Sequence, residues 1–226
     1  MPFDNEAYVR FLLDRGVVGF FPEGRTLKSG RVSHWYANCR VVGDTAGNLE
    51  TMAGFVTAFA AGRVPAFDYY YGVPEGGTKV GVVCNLLKAR ADGNPGQRVV
   101  MGRGTAKEHG DPRDRFFIGP VAAGDRVIVL EDVTTTGGSL LTAMDGLQAA
   151  GVTVAAVIAF VNRLERRDDG TTVAEAVAGR GVAYHAMATA TDLLPRFIRQ
   201  TRPAAALIRA LEDELHRNGV EGVRLQ

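Results

Sequence analysis

The chain has 226 residues, of which 46% are hydrophobic and 23% charged, and its formal net charge is +1. This length suits one α/β domain with a sizeable core or two small domains. The near-zero charge argues against nucleic-acid binding as the main role and leaves room only for a local basic cluster.

The two cysteines and the amino-terminal sequence narrow the class of protein further. Cys39 and Cys84 are far apart and form no CxxC pair, so neither a disulfide scaffold nor a zinc site is expected. The start, MPFDNEAYVR, contains an acid and lacks the apolar core of a signal peptide. Because no apolar segment approaches the roughly 20 residues of a membrane span, we expect a cytoplasmic protein.

In chain order, the residue patterns alternate between helices and strands. Hydrophobic residues at helical spacing predict helices over residues 4–15 (with Asp4 as N-cap), 45–62, 77–91, 139–151, 171–179 and 204–217. Runs of β-forming residues predict strands over 66–72, 98–101, 126–131, 152–161 and 182–189, with two or three short strands within 16–44. This alternation predicts an α/β fold with a mainly parallel central sheet flanked by helices. We expect residues 1–226 to form a single domain, with residues 16–44 as a small amino-terminal hood over the site.

The strongest functional signal lies in residues 126–139, RVIVLEDVTTTGGS. A β-branched run predicts a fully buried strand that ends in two acids, Glu131 and Asp132. Three threonines and two glycines follow, and a helix is predicted from Ser139. Ligands of open parallel sheets bind beyond the carboxyl ends of the strands, where this helix start offers unpaired N–H groups and the glycines let the loop fold around an anion. The loop can hold a phosphate and the acids can accept hydrogen bonds from sugar hydroxyls, which fits a phosphorylated ribose.

Two other segments contain candidate site residues. Residues 102–119, GRGTAKEHGDPRDRFFIG, lack periodicity, and a connection of this length is unusual unless it is functional. Their cations and glycines predict a mobile loop that closes over an anionic site and excludes water. In residues 26–40, TLKSGRVSHWYANCR, Lys28 and Arg31 flank Ser29-Gly30 and the aromatic pair Trp35 and Tyr36 follows, which suits a flat anionic base.

Each of these three segments also has a purely structural interpretation. The 126–139 segment could be an ordinary βα connection with Ser139 as helix cap. The 102–119 segment could be a solvated charged loop, and the 26–40 segment a surface hairpin with a half-buried tryptophan.

The segment VIVLEDVTTTGGS resembles the diphosphoribose-binding motif of type I phosphoribosyltransferases. Along the chain LKSGR, S-x-x-Y-x-N, GVP, R-x-x-x-K-x-HG, EDVTTTGG and NRLER occur in the order typical of orotate phosphoribosyltransferases, over roughly residues 20–170. The resemblance implies the type I phosphoribosyltransferase fold and Mg²⁺-dependent transfer of the phosphoribosyl group of 5-phosphoribosyl 1-diphosphate to orotate. The products are orotidine 5′-monophosphate and diphosphate, a step of pyrimidine (UMP) biosynthesis. It also implies a homodimer whose cationic loop reaches the neighbouring subunit's site.

The resemblance assigns roles to individual residues. The implied donor-binding residues are Lys28, Arg103, Lys107, His109, Glu131, Asp132, Val133, Thr134, Thr135, Thr136, Gly137, Gly138 and Ser139. Lys107 and Asp132 are the implied catalytic residues, and Mg²⁺ is held mainly through the substrate's diphosphate and ribose, without a dedicated protein metal site. The implied orotate contacts are Thr135, the backbone at Tyr36 and Ala37, and Arg163, whose guanidinium fork suits a carboxylate.

The sequence departs from the family pattern at three positions. Gly104 and Tyr71 stand where many members have a basic residue, and Glu131 stands where aspartate is frequent.

Two alternative functions are a phosphoribosyltransferase for another base and a non-catalytic regulator that binds the diphosphate donor. Orotate differs from purine bases in its carboxylate, so Arg163 and Lys28 distinguish an orotate enzyme from the first alternative. Lys107 and His109, with no spare segment for a DNA-binding domain, argue against the second.

Overall fold

The computed structural model describes residues 2–27, 30–64, 66–105, 116–219 and 225. The helices in these ranges are α1 (Asn5–Asp14), α2 (Ala46–Ala60), α3 (Thr78–Ala91), α4 (Gly138–Ala149), α5 (Val173–Ala178), α6 (Ala190–Thr201) and α7 (Ala205–Asn218), with a 3-10 helix at Cys39–Gly43. The strands are β1 (Val18–Thr26), β2 (Val32–Ala37), β3 (Tyr69–Gly72), β4 (Val100–Gly102), β5 (Phe117–Ile118), β6 (Arg126–Thr134), β7 (Thr153–Asn162) and β8 (Ala183–Thr189). The described helices lack the combination of length and apolar content that crossing a lipid bilayer requires.

The central sheet has the strand order β5-β4-β3-β6-β7-β8, and all neighbouring strands are parallel except β4 and β5. This confirms the predicted α/β fold with a mainly parallel sheet. The chain enters the sheet at β3, adds β4 on one side and later β6 on the other, so the winding direction reverses between β3 and β6. Ligand crevices of open α/β sheets form at such a reversal, beyond the carboxyl ends of the strands.

Strand β6 shows why the sheet needs a continuous apolar run. Successive side chains of a strand point to opposite faces. Val127 and Val129 therefore pack in a hydrophobic cluster with α4 and α5 on one face of the sheet. Ile128 and Leu130 pack in another cluster, with α1, α2, α6 and α7, on the opposite face. All four side chains are fully buried, and each contributes about 1.5–3 kcal/mol relative to an exposed position.

The hood is an antiparallel hairpin of β1 and β2. Trp35 of β2 is fully buried in the core. The ring of Phe20 lies 4.7 Å from that of Phe197 in α6, and Glu214 of α7 hydrogen-bonds to Ser33 and His34 of β2. The carboxyl-terminal helices α6 and α7 therefore fix the hood in place, a role that the sequence did not indicate.

Several boundaries differ from the predicted ones. Strand β6 continues to Thr134 rather than ending at 131, because Val133 and Thr134 pair with Val161 and Asn162 of β7. Helix α4 begins at Gly138, one residue earlier than predicted. Helix α6 and strand β5 were not predicted at all. The pairing of β5 with β4 also shows that residues 102–119 are not a loop throughout.

The contacts of Asp125, the residue just before β6, lead to a testable prediction about stability. Its buried carboxylate accepts hydrogen bonds from Arg98 (2.7 and 2.9 Å), the Tyr69 hydroxyl (3.1 Å) and the Ala122 N–H (2.8 Å). Burial alone would raise the pKa of Asp125, but these hydrogen bonds and the Arg98 charge outweigh burial and lower it. We expect Asp125→Asn to lower the free energy of unfolding by about 2–3 kcal/mol at neutral pH.

The deficit should shrink as the pH falls below about 4, because the contribution of a carboxylate with a lowered pKa is lost on protonation. Urea denaturation at several pH values measures it. Asp145→Asn, which breaks an exposed pair with Arg180, should cost less than about 1 kcal/mol. Equal losses in both variants at all pH values would contradict this account.

Candidate active site

The site lies where β3 ends beside β6, at the pair Gly72 and Leu130, and where β6 continues through Glu131 and Asp132 to Thr134. The turn of residues 73–77 follows β3, and the loop of residues 135–137 follows β6. The turn lies directly against the strand end, since a Cβ added at Gly76 would be 2.0 Å from Oδ2 of Asp132. The absence of a side chain at Gly76 therefore leaves the space that the Asp132 carboxylate occupies.

The two acids at the end of β6 have different environments. Glu131 is only 5% exposed, whereas the Asp132 side chain is 18% exposed and its Oδ2 lies 3.9 Å from Nε of Arg40. The Asp132 N–H donates to Oε1 of Glu131 (3.2 Å), and the Val133 N–H donates to Oδ1 of Asp132 (2.8 Å). Asp132 is therefore the acid that a ligand can reach directly.

The environment of Glu131 favours the neutral form of its carboxyl group. Burial, and secondly the nearby charge of Asp132, raise the pKa of Glu131 to about 9. Burial and the neighbouring acid thus both disfavour a negative charge on Glu131. A ligand that itself bears several negative charges meets less repulsion at this strand end.

The loop after β6 is shaped to expose backbone N–H groups. Gly137, the N-cap of α4, has φ +73° and supplies no side-chain acceptor, so the first-turn N–H groups of α4 have no side-chain cap. The loop is held from both sides: the Thr134 hydroxyl is 2.6 Å from the Tyr184 hydroxyl, and Nη1 of Arg167 donates to the Thr136 carbonyl (2.5 Å). A fixed loop that leads into a helix start without a side-chain cap can bind a phosphate.

Arg163 follows β7, and its backbone N–H donates to the Thr134 carbonyl (3.0 Å). Its side chain, however, points to the hood and is 3% exposed. Nε donates to Glu165 (2.6 Å), Nη1 to the Trp35 carbonyl (3.1 Å), and Nη2 to the Ser33 hydroxyl (2.8 Å) and to Glu214 (3.3 Å). The structure therefore brings Arg163 to strand β2 but engages all three of its nitrogens within the protein.

Tyr36 and Ala37 lie on β2, next to Trp35. The Tyr36 ring stacks on Phe21 (4.7 Å between centroids) and covers Gly19, where an added Cβ would be 2.2 Å from the ring. Tyr36 and Ala37 are half-buried at the edge of the hood, on the strand that Arg163 contacts.

The predicted loop cations are only partly described. Arg103 follows β4, and its N–H donates to the Phe116 carbonyl (2.9 Å). Lys28, Lys107 and His109 lie outside the described residues, so their predicted roles stay predictions. Tyr71, at the position where many family members have a cation, is a buried core residue whose hydroxyl faces Gly102.

Four residues next to the site were missed by the sequence analysis. Gly76 belongs to GVPEGG, which indicated only a turn, and Arg167 directly follows the NRLER segment. Tyr184 lies in a predicted strand, and Glu214 in a predicted helix, without any motif. Only Gly76 and Arg167 had a usable signal, namely their position beside family motifs.

The described residues contain no group of three or more His, Cys, Asp or Glu side chains that could hold a metal ion. Oxygen ligands suitable for a hard cation are nevertheless present at the strand end, where the Asp132 carboxylate is accessible.

Comparison with known proteins identifies the relatives of the chain. It is 32% identical over 196 residues to the orotate phosphoribosyltransferase of Sorangium cellulosum (strain So ce56), covering 85% of this chain and 94% of the relative. It is 29% identical over 170 residues to that of Thermococcus gammatolerans, covering 75% and 82%. The crystal structure of orotate phosphoribosyltransferase from Francisella tularensis has a TM-score of 0.70 at 18% identity, covering 94% and 99%, and supports the fold. No protein-family model matches the chain.

The sheet order, the acid pair at the end of β6 and the loop leading into α4 define a type I phosphoribosyltransferase fold. Given a relative that is 32% identical over most of both chains, the chain belongs to the orotate phosphoribosyltransferase family. The resemblance inferred from the order of its motifs is confirmed.

Proposed function

We propose that the chain transfers the 5-phosphoribosyl group of 5-phosphoribosyl 1-diphosphate to orotate, giving orotidine 5′-monophosphate and diphosphate. The observation that carries this proposal is the contact of the Asp132 carboxylate with the 73–77 turn, beside an uncapped helix start. The strand end thereby offers acceptors for sugar hydroxyls, and the adjoining loop offers donors for a phosphate.

In this mechanism residues 134–139, from the last residue of β6 to the second residue of α4, hold the 5-phosphate through their N–H groups and hydroxyls. Asp132 accepts hydrogen bonds from the ribose hydroxyls, and the raised pKa of buried Glu131 limits the negative charge next to the donor. Both anchors hold the ribose while its C1 reacts, which is catalysis by positioning.

The leaving diphosphate needs positive charge. Arg103 and Lys107 of residues 102–119 neutralise it, His109 donates a hydrogen bond to it, and Lys28 also contacts the diphosphate donor. Mg²⁺ would be held through the oxygens of the diphosphate and ribose, with Asp132 nearby, and when bound it supplies electrostatic stabilisation of the departing diphosphate. Closure of the loop excludes water from the oxocarbenium-like centre.

The bond changes occur at C1 of the ribose. Orotate N1, anionic after losing a proton, attacks C1 as the bond from C1 to the diphosphate oxygen breaks. Thr135, Arg163 and the backbone at Tyr36 and Ala37 orient the base, Arg163 through the orotate carboxylate. No covalent enzyme intermediate is needed, so catalysis is electrostatic and positional.

A spectrophotometric assay of orotate consumption with 5-phosphoribosyl 1-diphosphate and Mg²⁺ tests the function. Orotate should be consumed, while uracil, which differs only in lacking the carboxylate, and the purine bases should not. Preferential use of another base would replace the proposal by a different base specificity. Consumption of no base, despite binding of the donor, would favour a regulator.

We expect Lys107→Ala to lower turnover at least tenfold with a smaller effect on orotate affinity, because Lys107 acts on the departing diphosphate rather than on the base. Steady-state kinetics and orotate titration measure the two effects. Lys88→Ala, which removes a cation on α3 that pairs with Asp92, is the matched control. Unchanged turnover would exclude the loop role of Lys107.

The proposed homodimer with a shared loop, in the cytoplasm, has its own test. Subunits of Lys107→Ala and of Asp132→Asn are mixed under conditions of subunit exchange. Recovery of activity in the mixture supports a loop that completes the neighbouring site, whereas two inactive variants that stay inactive together contradict it.

A further inference from the structure

Glu214 of α7 occupies a site built for a carboxylate. It is 2% exposed, and its oxygens accept from the Ser33 hydroxyl (2.5 Å), the His34 N–H (2.7 Å) and Nη2 of Arg163 (3.3 Å), with Nδ1 of His34 also at 3.3 Å. A hydroxyl, a backbone N–H and a guanidinium thus converge on one buried carboxylate group. The carboxylate comes from a residue 51 positions from Arg163 along the chain.

Each nitrogen of Arg163 already has at least one hydrogen-bond acceptor while Glu214 is in place. Nε is engaged by Glu165, and Nη1 by the Trp35 carbonyl. The remaining nitrogen, Nη2, donates hydrogen bonds to the Ser33 hydroxyl and to Glu214. A carboxylate ligand that pairs with Nη2 of Arg163 must therefore take the place of Glu214, because Glu165 approaches from the Nε side and also faces Arg31.

A second observation shows that this cluster lacks an acceptor. Among the described residues, the buried indole N–H of Trp35 has no hydrogen-bond partner. The Arg163 guanidinium lies 4.1 Å from the centroid of the same Trp35 ring. A ligand with both a carboxylate and carbonyl oxygens, unlike the Glu214 side chain, can supply an acceptor as well as an anion.

The rest of α7 is held where it is. The Arg166 N–H donates to the Asn218 carbonyl (2.7 Å), and Glu165 pairs with Gly219. Leu211 and Leu215, on either side of Glu214, are buried in the core. Rotation of the Glu214 side chain, rather than departure of the helix, would therefore vacate the carboxylate site.

We propose that Glu214 competes with the carboxylate of the base for Arg163, Ser33 and His34, and that it thereby sets both the affinity for orotate and the rejection of bases without a carboxylate. The inference rests on the proposed function. Exchange of one carboxylate for another leaves the buried Arg163 charge compensated. A neutral base cannot make this exchange, because displacing Glu214 would leave that guanidinium with one fewer anion.

The test uses Glu214→Gln, which keeps the size of the side chain, and Glu214→Ala, which vacates the site. Asp213→Asn removes a neighbouring exposed charge of α7 and is the matched control. We expect both Glu214 variants to lower the orotate KM about tenfold, since a weakened internal competitor is easier to displace, with the donor KM unchanged within about twofold. Asp213→Asn should change neither value.

A second measurement does not depend on activity. Sodium acetate at tens of millimolar should raise the Tm of Glu214→Ala above the value in equimolar sodium chloride, because acetate fills the vacated site. Wild type and Asp213→Asn should show no such difference. Glu214→Gln carries the KM comparison if Glu214→Ala does not fold.

The outcomes separate the two proposals. Unchanged or weaker orotate binding in the Glu214 variants would overturn the competition, and so would a lack of specific stabilisation by acetate. Failure of wild type to use orotate would refute the proposed function, while the acetate measurement would still show whether the carboxylate site exists.

Discussion

Replacing Asp132 with asparagine is expected to lower kcat/KM for 5-phosphoribosyl 1-diphosphate by about a thousandfold. The substitution removes the accessible negative charge at the end of β6 and one of two carboxylate acceptors. Hydrogen bonds to charged groups contribute about 1.5–3 kcal/mol each, so weakening two contacts to ribose hydroxyls costs about 4 kcal/mol. The pKa of Glu131 should fall as well, although burial, the larger cause of its elevation, remains.

Initial rates at varied donor concentration, with orotate saturating, measure this loss. Asp145→Asn is the matched control, because Asp145 lies in α4 with an exposed side chain that pairs with Arg180. Its kinetics should match those of wild type within about twofold. If Asp132→Asn kept kcat/KM within tenfold of wild type, Asp132 would not be a ribose ligand.

Gly76→Ala is expected to lower kcat/KM for the donor about a hundredfold or more while the protein stays folded. The new Cβ would lie 2.0 Å from Oδ2 and 2.1 Å from Cγ of Asp132, so the carboxylate must move. Because the clash is with the end of a partly exposed side chain rather than with backbone, the loss should fall on binding and catalysis rather than on folding. A misplacement of about 1 Å in an anchoring group is enough for such an effect.

Gly54→Ala provides the comparison, since a Cβ at that helical position meets no atom within 4 Å. That variant should be as active as wild type and slightly more stable, because alanine favours a helix interior over glycine. Donor titration and thermal unfolding of both variants give the two readouts. Normal donor affinity in Gly76→Ala would show that the 73–77 turn does not position Asp132.

The central part of the fold could be predicted from local sequence. Val127 to Leu130 are apolar on both faces of the strand, Glu131 and Asp132 end the run, and the change to helical spacing marks α4. The extension of β6 to Thr134 could not be predicted in this way, because threonines and glycines indicate a loop. The strand extends to Thr134 because Thr134 pairs with Asn162 on β7, which is a tertiary contact.

Helix α6 was missed for a related reason. Pro195 lies inside it, and proline lacks the N–H that a helix interior uses. The helix forms nonetheless, because Asp192 accepts hydrogen bonds from the N–H and hydroxyl of Thr189 (2.8 and 2.6 Å) at its start, and Leu193, Leu194 and Ile198 are buried.

The candidate site was predictable in its motifs but not in its internal pairing. The acid pair and the 134–139 segment lie at the carboxyl-terminal part of β6, beside the turn that follows β3, as expected from their order. The engagement of Arg163 by Ser33 and Glu214 could not be foreseen, because it depends on how α7 packs on the hood. No local pattern distinguishes Glu214 from the other acids of that helix.

Pairing of β4 with β5 has a consequence for how the family can diversify. Gly102 and Phe117 lie opposite each other, and the Arg103 N–H donates to the Phe116 carbonyl. The edge of the sheet therefore holds both ends of the intervening segment close together. The entropy of closing such a segment grows only slowly with its length. Insertions and deletions between these ends can therefore accumulate over evolution without disturbing the parallel strands β3 and β6.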